Sequence, residues 1–343
     1  MNAPAGPLAP TVRAADPADP ALEAFVRAHP AATPFHLPQW SRAIAAGTGQ
    51  RAHLLVAARG GEIVGLLPLT EIRSRLFGNS LVSTGFGVDG GILADDPAAV
   101  DALAGTAVQL AATLGCPSVE LRGGILPDGW QRAEGTYAGF VRALPGDEED
   151  VLGTIPRKQR AEVRRALGFG LEIGLGDADA HYRTYAESVR NLGTPVFPRS
   201  LFRAVLEGFG DEADILTVSK GGRALASVLS LYLNGTVYPY WGGGTRAARG
   251  ARANELMYYE LMRHAVRRGC TRFDFGRSKL GTGAFAFKKN WGFEPRPLVY
   301  AHRGAAREVN PLSPRYRLQV AAWRRLPLWA ANRIGPVIAR GLG

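Results

Sequence analysis

Short apolar segments on either side of a glycine pair recur in the two halves of the sequence. The first half has apolar runs over Leu54–Ala58 and Ile63–Leu69, and the second half has runs over Ile215–Ser219 and Ala224–Leu233. In each half a Gly-Gly dipeptide lies between the two runs. Apolar runs of this length around a short glycine turn predict a β-hairpin in each half.

The same series of elements follows each predicted hairpin. A glycine-rich segment comes first, then a stretch typical of a helix, then a Gly-Cys pair and a short strand. These segments are Thr84–Gly87, Ala98–Leu114 and Ser118–Leu121 in the first half, and Trp241–Gly244, Ala253–Arg268 and Arg272–Phe275 in the second half. The two cysteines, Cys116 and Cys270, are 154 residues apart (270 − 116). The sequence therefore predicts a duplicated α/β unit, with a mixed sheet and packed helices in each copy.

The repeat also predicts where the chain divides. The acidic run Asp147–Asp150, directly after a Pro-Gly pair, is typical of a linker or loop. We therefore predict a first domain over residues 1–146, a second over 147–305 that opens with a basic helix, and a tail over 306–343.

The tail combines apolar and basic residues. Helix breakers precede a predicted helix from about Arg315 to Leu326, and a second apolar and basic stretch runs over Leu328–Arg340. Arginine with tryptophan on a short amphipathic helix suits a membrane interface. A helix packed on the body of the protein fits the same pattern, so both interpretations stay open. The breakers are Asn310, Pro311 and Pro314, and the apolar face holds Tyr316, Val320 and Trp323.

Composition narrows the class of protein. The chain has 343 residues, of which 46% are hydrophobic, a globular balance that accommodates about two domains. Two cysteines do not make a disulfide scaffold and fit a reducing, cytoplasmic setting. We identify neither a signal-peptide pattern nor a run of about 18 apolar residues that would span a membrane.

The net charge of +11 is concentrated in two segments. Arg157–Arg165 carries five bases and one acid, and residues 303–343 carry eight arginines and one acid, so the rest of the chain sums to zero. Localised positive charge indicates an anionic partner, which is a nucleic acid, a phospholipid surface or a phosphorylated substrate. Solvated helix faces are the alternative interpretation.

Several known motifs are absent or misplaced. Gly85–Gly90 matches GxGxxG, but residues 91–97 separate it from the next predicted helix, which disfavours a dinucleotide site. Gly276–Leu280 lacks the final glycine of a nucleophile elbow. The six histidines show no metal-binding spacing, and we predict no metal.

The segment Phe273–Tyr300 has the highest density of candidate chemistry. It contains three of the five lysines of the chain, namely Lys279, Lys288 and Lys289. Asp274 ends a predicted strand, and α/β sheets bind ligands at such strand ends. Gly281-Thr282-Gly283 predicts a flexible loop, after which aromatic residues alternate with bases (Phe285, Phe287, Trp291 and Phe293). A basic loop over an aromatic-packed strand is the alternative without a site.

From about Thr11 onwards the chain resembles the FemAB-related, double-GNAT acyltransferases. The similarity is highest to the subgroup associated with PEP-CTERM/exosortase exopolysaccharide systems. The most distinctive motif lies over Phe273–Pro295 and consists of Phe273–Lys279, Gly281–Gly283 and Phe287–Pro295. The other matching segments are individually modest, and they are Phe35–Trp40, Gly65–Leu69, Ser74–Gly78, Asn191–Pro198 and Trp323–Leu328.

This resemblance implies two GNAT-like domains facing each other across a cleft. It also implies transfer of an acyl group to an amine on a cell-envelope precursor; in the best-known relatives this is an aminoacyl group from aminoacyl-tRNA. The Phe-Lys pair of the family corresponds to Phe287 and Lys288, and its strand-end aspartate to Asp274. Its phosphate contacts correspond most nearly to Arg42, Thr194 and Arg199.

Acyl transfer to an amine requires stabilisation of a tetrahedral oxyanion, and we predict that Lys288 supplies it. Asp274 is predicted to relay a proton or orient the amine, with anchoring of the strand-end turn as the alternative. Arg157, Lys158 and Arg160 are predicted to bind phosphates. The predicted substrate-binding set further includes Arg277, Lys279, Trp241, Ser278 and Phe287.

The donor stays open. The chain lacks a charged heptad arm, and Arg246–Ala253 lacks the spacing of the Q/R-x-x-G-x-G/A loop of CoA-using GNATs. We predict no tightly bound cofactor; aminoacyl-tRNA or acyl-CoA serves as co-substrate.

The sequence is compatible with more than one acceptor and more than one cellular location. Expected partners are a phosphorylated or lipid-linked envelope precursor, tRNA, and an anionic membrane surface contacted through residues 310–343. This places the protein in the cytoplasm or on the inner face of the membrane. Two alternatives remain: an acyl-CoA-dependent enzyme modifying exopolysaccharide sugars, and a non-catalytic, membrane-docked scaffold.

Overall fold

A computed structural model describes residues 8–305 and 316–343. The described chain divides into two compact units. Unit 1 holds residues 8–134, 299–305 and 340–343, and unit 2 holds residues 135–298 and 316–339. The predicted helix breakers Asn310, Pro311 and Pro314 lie outside the described residues.

Unit 1 is a sheet with three helices of its own. Its helices begin where the sequence favours capping: the side chains of Asp19 and Asp96 accept hydrogen bonds at the first turns of α1 and α3, each directly before a proline. The elements are β1 (Thr11–Ala14), α1 (Pro20–Ala28), α2 (Pro38–Thr48), β2 (Arg51–Arg59), β3 (Glu62–Ile72), β4 (Ser80–Ser83), β5 (Leu93–Ala94), α3 (Pro97–Thr113) and β6 (Ser118–Arg122).

Unit 2 repeats this series and adds further helices. Its elements are β7 (Gln131–Ala143), which begins in unit 1, α4 (Val151–Thr154), α5 (Arg157–Leu167), β8 (Glu172–Leu175), α6 (Ala178–Leu192), α7 (Arg199–Phe209), β9 (Ala213–Lys220), β10 (Arg223–Leu233), β11 (Thr236–Gly244), α8 (Ala253–Arg267), β12 (Arg272–Lys279) and α9 (Gly283–Asn290). Strand β13 (Pro295–Gly304) follows, and then α10 (Arg317–Arg325) and α11 (Leu328–Ala339).

The two sheets have the same strand order. Unit 1 runs β1-β2-β3-β4-β6-β13, with β5 beside β3, and unit 2 runs β8-β9-β10-β11-β12-β7. In each unit one neighbouring pair is parallel, β4 with β6 and β11 with β12, and a helix connects the two strands of that pair. Both predicted hairpins form, as β2–β3 and β9–β10. The duplication is therefore confirmed at the level of topology.

Each unit has its own apolar core. Cys116 is buried in the core of unit 1 with the α3 residues, and Cys270 is buried at the equivalent place in unit 2. Both are buried free thiols.

The units divide the chain differently from the scheme 1–146, 147–305 and 306–343. Residues 137–143 of β7 pair with β12, which places them in unit 2, while residues 300–304 of β13 pair with β6 of unit 1. The acidic run is also not a free linker. Glu148 forms ion pairs with Arg263 and Arg267 on α8, which holds this segment against unit 2.

The tail forms two helices that lie against α6. The glycine that ends α6, Gly193, leaves room for Val320 of α10, because an added Cβ there would lie 2.5 Å from a Val320 methyl. Arg324 donates to the carbonyl of Leu192 at 3.1 Å. Gly335 of α11 lies against the backbone of Val196. The tail therefore packs on the body of unit 2 through one side of its two helices.

Candidate active site

Lys288 on α9 directs its amine at strand β12. The Nζ atom donates to the carbonyls of Gly276 at 3.2 Å and Arg277 at 2.9 Å. An ammonium group has three N–H donors. Among the described residues no further acceptor takes the third one, so Lys288 retains a donor for a ligand.

Two aromatic rings flank this amine. Nζ lies 5.4 Å from the ring centroid of Phe140 and 5.3 Å from that of Phe275. Burial lowers the pKa of Lys288 to about 7; the Asp274 carboxylate raises this pKa and the Arg277 guanidinium lowers it further. A lysine with a pKa near neutrality can change charge during a reaction, which an exposed lysine does not do at pH 7.

A bulge in β12 presents the two carbonyls. The pairing of β12 with β7 shifts register between Asp274 and Arg277. Gly276 has φ +67°, a left-handed conformation that glycine adopts without strain. Asp274 Oδ1 accepts from the Gly276 amide at 2.8 Å. Asp274 therefore anchors the strand-end turn, the alternative role considered for it, and also acts on Lys288 through its charge.

The parallel strands β11 and β12 part before they reach Lys288. They pair only at Thr236 with Arg272 and at Val237 with Phe273, although β11 continues to Gly244 and β12 to Lys279. The carbonyls that hold Lys288 belong to the part of β12 that does not pair with β11. The amine therefore lies against β12 beyond the last residue that pairs with β11.

Helix α8 places Tyr258 between the parted strands. The Tyr258 ring lies 4.6 Å from Phe275 and 5.7 Å from Phe287, measured between centroids. Its hydroxyl lies beside Gly242 of β11, where an added Cβ would be 2.9 Å away. Burial raises the pKa of Tyr258 well above its ordinary value. The hydroxyl thus stays protonated and faces the strand opposite Lys288.

The basic helix α5 begins beside the end of α9. Arg142 donates to the carbonyl of Thr154 at 3.3 Å and to that of Trp291 at 3.0 Å, which joins the residues before α5 to those after α9. Pro156 packs against Gly292. Three of the predicted phosphate-binding residues follow directly: Arg157 and Lys158 are exposed, and Arg160 is half-buried. None of the three forms an ion pair with a described acidic residue.

The remaining predicted residues of unit 2 divide into two groups. Arg277, Ser278 and Lys279 lie on β12, and the Arg277 guanidinium stacks 4.6 Å from the Tyr137 ring. Ser278 is buried with no hydrogen-bond partner for its hydroxyl among the described residues. Phe287 packs against the aromatic cluster of Phe275 and Trp291.

The second group lies around α6 and α7. The Arg199 guanidinium pairs with Asp179 and stacks 4.3 Å from the Tyr182 ring. Thr194 follows the end of α6, and its amide donates to the Val189 carbonyl. Trp241 is buried against Phe197 and Phe202. These contacts hold the three residues beside α6 and α7, and their predicted role in substrate binding stays a prediction.

Arg42 belongs to unit 1 and donates to the carbonyl of Pro17. This contact ties α2 to the segment before α1 and gives Arg42 a structural role there.

The sequence interpretation missed Phe140, Arg142 and Tyr258. Tyr258 is on a helix that was predicted, but its position between the strands depends on how they part. Phe140 and Arg142 are on β7, which pairs with β12 although the paired residues are about 130 or more positions apart in the sequence. The residues after Thr282 form helix α9, which Thr282 caps by accepting from the Phe285 amide. Phe285 and Phe287 are therefore on a helix, and not on the strand of the alternative interpretation.

Two copies of a hairpin, a crossover helix and a parallel strand pair, with a helical C-terminal end, define the tandem GNAT-type acyltransferase fold. This confirms the predicted fold class. Residues 154–289 match the family model of the acetyltransferase (GNAT) domain. No curated protein matches the chain.

Three solved structures show the same fold at low identity. FemX is 16% identical with a TM-score of 0.65, over 84% of this chain and 96% of that chain. A tandem GNAT protein from the clavulanic acid biosynthesis pathway is 15% identical with a TM-score of 0.55, over 88% and 100%. A conserved protein of unknown function from Bacteroides thetaiotaomicron is 13% identical with a TM-score of 0.56, over 85% and 99%.

Metal-binding clusters and membrane-spanning helices are both absent from residues 8–305 and 316–343. No group of three or more His, Cys, Asp or Glu side chains is placed to hold a metal ion. No helix in these ranges has both the length and the hydropathy to cross a bilayer.

Proposed function

We propose that this chain transfers an acyl or aminoacyl group to an amine, and that the reaction takes place at Lys288 of unit 2. One observation carries the proposal: a lysine with a lowered pKa lies against β12, beyond the residues that pair with β11, and keeps an N–H donor for a ligand. The match of residues 154–289 to the GNAT acetyltransferase domain supports the same class of reaction.

The chemistry requires few protein groups. The acceptor nitrogen forms a bond to the acyl carbon, and the bond between that carbon and its oxygen or sulfur leaving group breaks. The nitrogen loses a proton, and the leaving group ends protonated. The third N–H of Lys288 donates to the oxyanion of the tetrahedral intermediate, where such a donor contributes most. Tyr258 and Asp274 orient the reacting groups around it.

The proposed acceptor is an amine that carries phosphate. Arg157, Lys158 and Arg160 support this, since they lie at the start of α5, which Arg142 holds beside the end of α9. Clustered cations next to a helix N-terminus bind phosphate well. We place this acceptor among cell-envelope or exopolysaccharide precursors, on the strength of the sequence resemblance.

A donor and acceptor screen with purified protein tests the proposal. Acetyl-CoA and aminoacyl-tRNA are supplied in turn, with glucosamine 6-phosphate or glucosamine as the amine. We expect transfer from one donor, faster to the phosphorylated amine, and loss of transfer in the Lys288→Met variant. Transfer from acetyl-CoA alone would favour the acyl-CoA-dependent alternative. Transfer that Lys288→Met leaves unchanged would overturn the assignment of the site, and no transfer at all would favour a non-catalytic scaffold.

A further inference from the structure

The last two helices have an unusual distribution of side chains. The residues of α11 that face the body are small, namely Ala331, Gly335 and Ala339, all buried at four-residue spacing. The large apolar residues face outwards: Trp329 is 73% exposed and Val337 is 73% exposed. An ordinary surface helix has the opposite arrangement, with its large apolar side chains inward.

Helix α10 also has an exposed side and a side that contacts α6. Its inward side holds Val320 and Arg324, which contact Gly193 and Leu192 at the end of α6. On the opposite side Leu318 is 83% exposed, and Arg325, about two helical turns later, is also exposed. We call Leu318, Arg325, Trp329, Arg333 and Val337 the tail surface.

The helices that carry the tail surface are held on unit 2 by specific contacts, unlike a frayed chain terminus. Arg190 donates to the carbonyl of Arg324 at 3.2 Å, and Gly335 packs against Val196. The exposure of Trp329 and Val337 is therefore a property of the docked helices. Exposed apolar patches of this kind mark interaction sites.

The charge of this region identifies the kind of partner. Residues 316–343 contain five arginines and no aspartate or glutamate. Arg325 and Arg333, on the tail surface itself, form no ion pair with any residue that the structure describes. Tryptophan and arginine together suit the boundary between lipid headgroups and acyl chains, where the indole sits among headgroups and guanidinium groups meet phosphate.

We propose that the tail surface docks unit 2 on an anionic phospholipid bilayer, with Trp329, Val337 and Leu318 entering the interface and the arginines contacting lipid phosphate. Docking of this kind is peripheral, because α10 and α11 lie along the surface. The proposal is independent of the transfer reaction, and its test does not use activity.

Vesicle flotation with the full chain tests it. One set of vesicles is pure phosphatidylcholine, and the other contains about one-third phosphatidylglycerol, which gives an anionic surface. We expect binding to the anionic vesicles alone, weakened by added salt. Arg325→Gln with Arg333→Gln should weaken it by about 30-fold, at about fivefold for each arginine near the surface. Trp329→Ser with Val337→Ser should weaken it by at least about tenfold.

A control variant that removes the same number of exposed arginines elsewhere on unit 2 shows whether the position of the charge matters. The double variant Arg203→Gln and Arg223→Gln removes two exposed arginines from α7 and from the start of β10, and should bind as the wild type does. Thermal unfolding of each variant should match the wild type, since all the substituted residues are exposed. Equal binding of the tail and control variants, or no binding to anionic vesicles, would overturn the proposal. Dimerisation that Trp329→Ser with Val337→Ser abolishes would show instead that a second copy covers the surface.

Discussion

The two units share one topology and differ at the end of the parallel strand pair. In unit 2, β11 and β12 part, and the amine of Lys288 lies against β12 beyond their last pair. In unit 1, the chain after β4 is buried and fills the equivalent place. The carbonyl of Gly85 there accepts from the Trp40 indole at 3.2 Å, and an added Cβ on Gly91 would lie 1.9 Å from the Gly123 carbonyl oxygen.

The cationic side chains near these two places, Arg122 in unit 1 and Lys288 in unit 2, differ in whether protein groups take their N–H donors. Arg122, at the end of β6, is 8% exposed and donates to Glu120, to the Gly87 carbonyl and to the Gly343 carbonyl. Its donors are directed at internal partners. Lys288 retains a donor and has a lowered pKa. At this place unit 1 is therefore held by internal hydrogen bonds, whereas in unit 2 Lys288 keeps a donor that no described residue takes.

The GxGxxG match in unit 1 has the same explanation. An added Cβ on Gly87 or Gly90 would lie 2.6 Å from the Thr84 side chain, and both glycines also lie against Phe35. The glycines therefore allow close packing of the chain. This agrees with the sequence argument against a dinucleotide site.

The largest expected effect is on turnover in unit 2. Lys288→Met removes the N–H donor while keeping an unbranched side chain of similar length between Phe140 and Phe275. We expect kcat to fall by about 10²–10³-fold, the usual effect of losing one oxyanion donor. Steady-state kinetics on the donor found by the screen measures this effect, and circular dichroism checks the fold.

The neighbouring lysine provides the control. Lys289 is exposed on the same helix, so Lys289→Met should retain wild-type kcat. Equal losses in the two variants would show that charge on α9, and not the Lys288 donor, is what matters.

The next effect is on the stability of unit 1. Gly91→Ala should lower the free energy of unfolding by at least about 2 kcal/mol, because the backbone must move to admit a methyl group. Gly105, within α3, has no atom near its added Cβ. Gly105→Ala should therefore raise stability by about 0.5–1 kcal/mol, as alanine is the better helix former. Chemical denaturation of both variants makes the comparison, and a stable Gly91→Ala protein would contradict the closed packing of unit 1.

The smallest expected effect concerns Asp274. Its carboxylate raises the pKa of Lys288, so Asp274→Asn should lower that pKa and leave fewer molecules with a protonated Lys288 at pH 7. We expect a loss of kcat at pH 7 smaller than that of Lys288→Met, with recovery at lower pH. The amide oxygen still accepts from Gly276, which preserves the turn. A loss that persists at every pH would show that Asp274 relays a proton.

Local signals predicted the repeated elements well. The glycine pair between β2 and β3, and the Gly-Cys pair after α3, mark turns that depend only on neighbouring residues. Helices α1 and α6 were missed although Asp19 and Asp177 cap them, a signal the sequence does contain. The surroundings of Lys288 could not be predicted, because Phe140 reaches it only through the pairing of β7 with β12. The predicted Lys288 site itself stays a prediction until activity is measured.

The pH dependence of kcat tests the central claim most directly. Lys288 with a pKa of about 7 is protonated at lower pH, so kcat should fall as the pH rises through that value. Lys288→Arg, which stays protonated, should lack this fall and thereby separate it from titration of the acceptor amine. A wild-type kcat that rises through the same range would make Lys288 a general base, and profiles that coincide in the two proteins would remove it from the reaction.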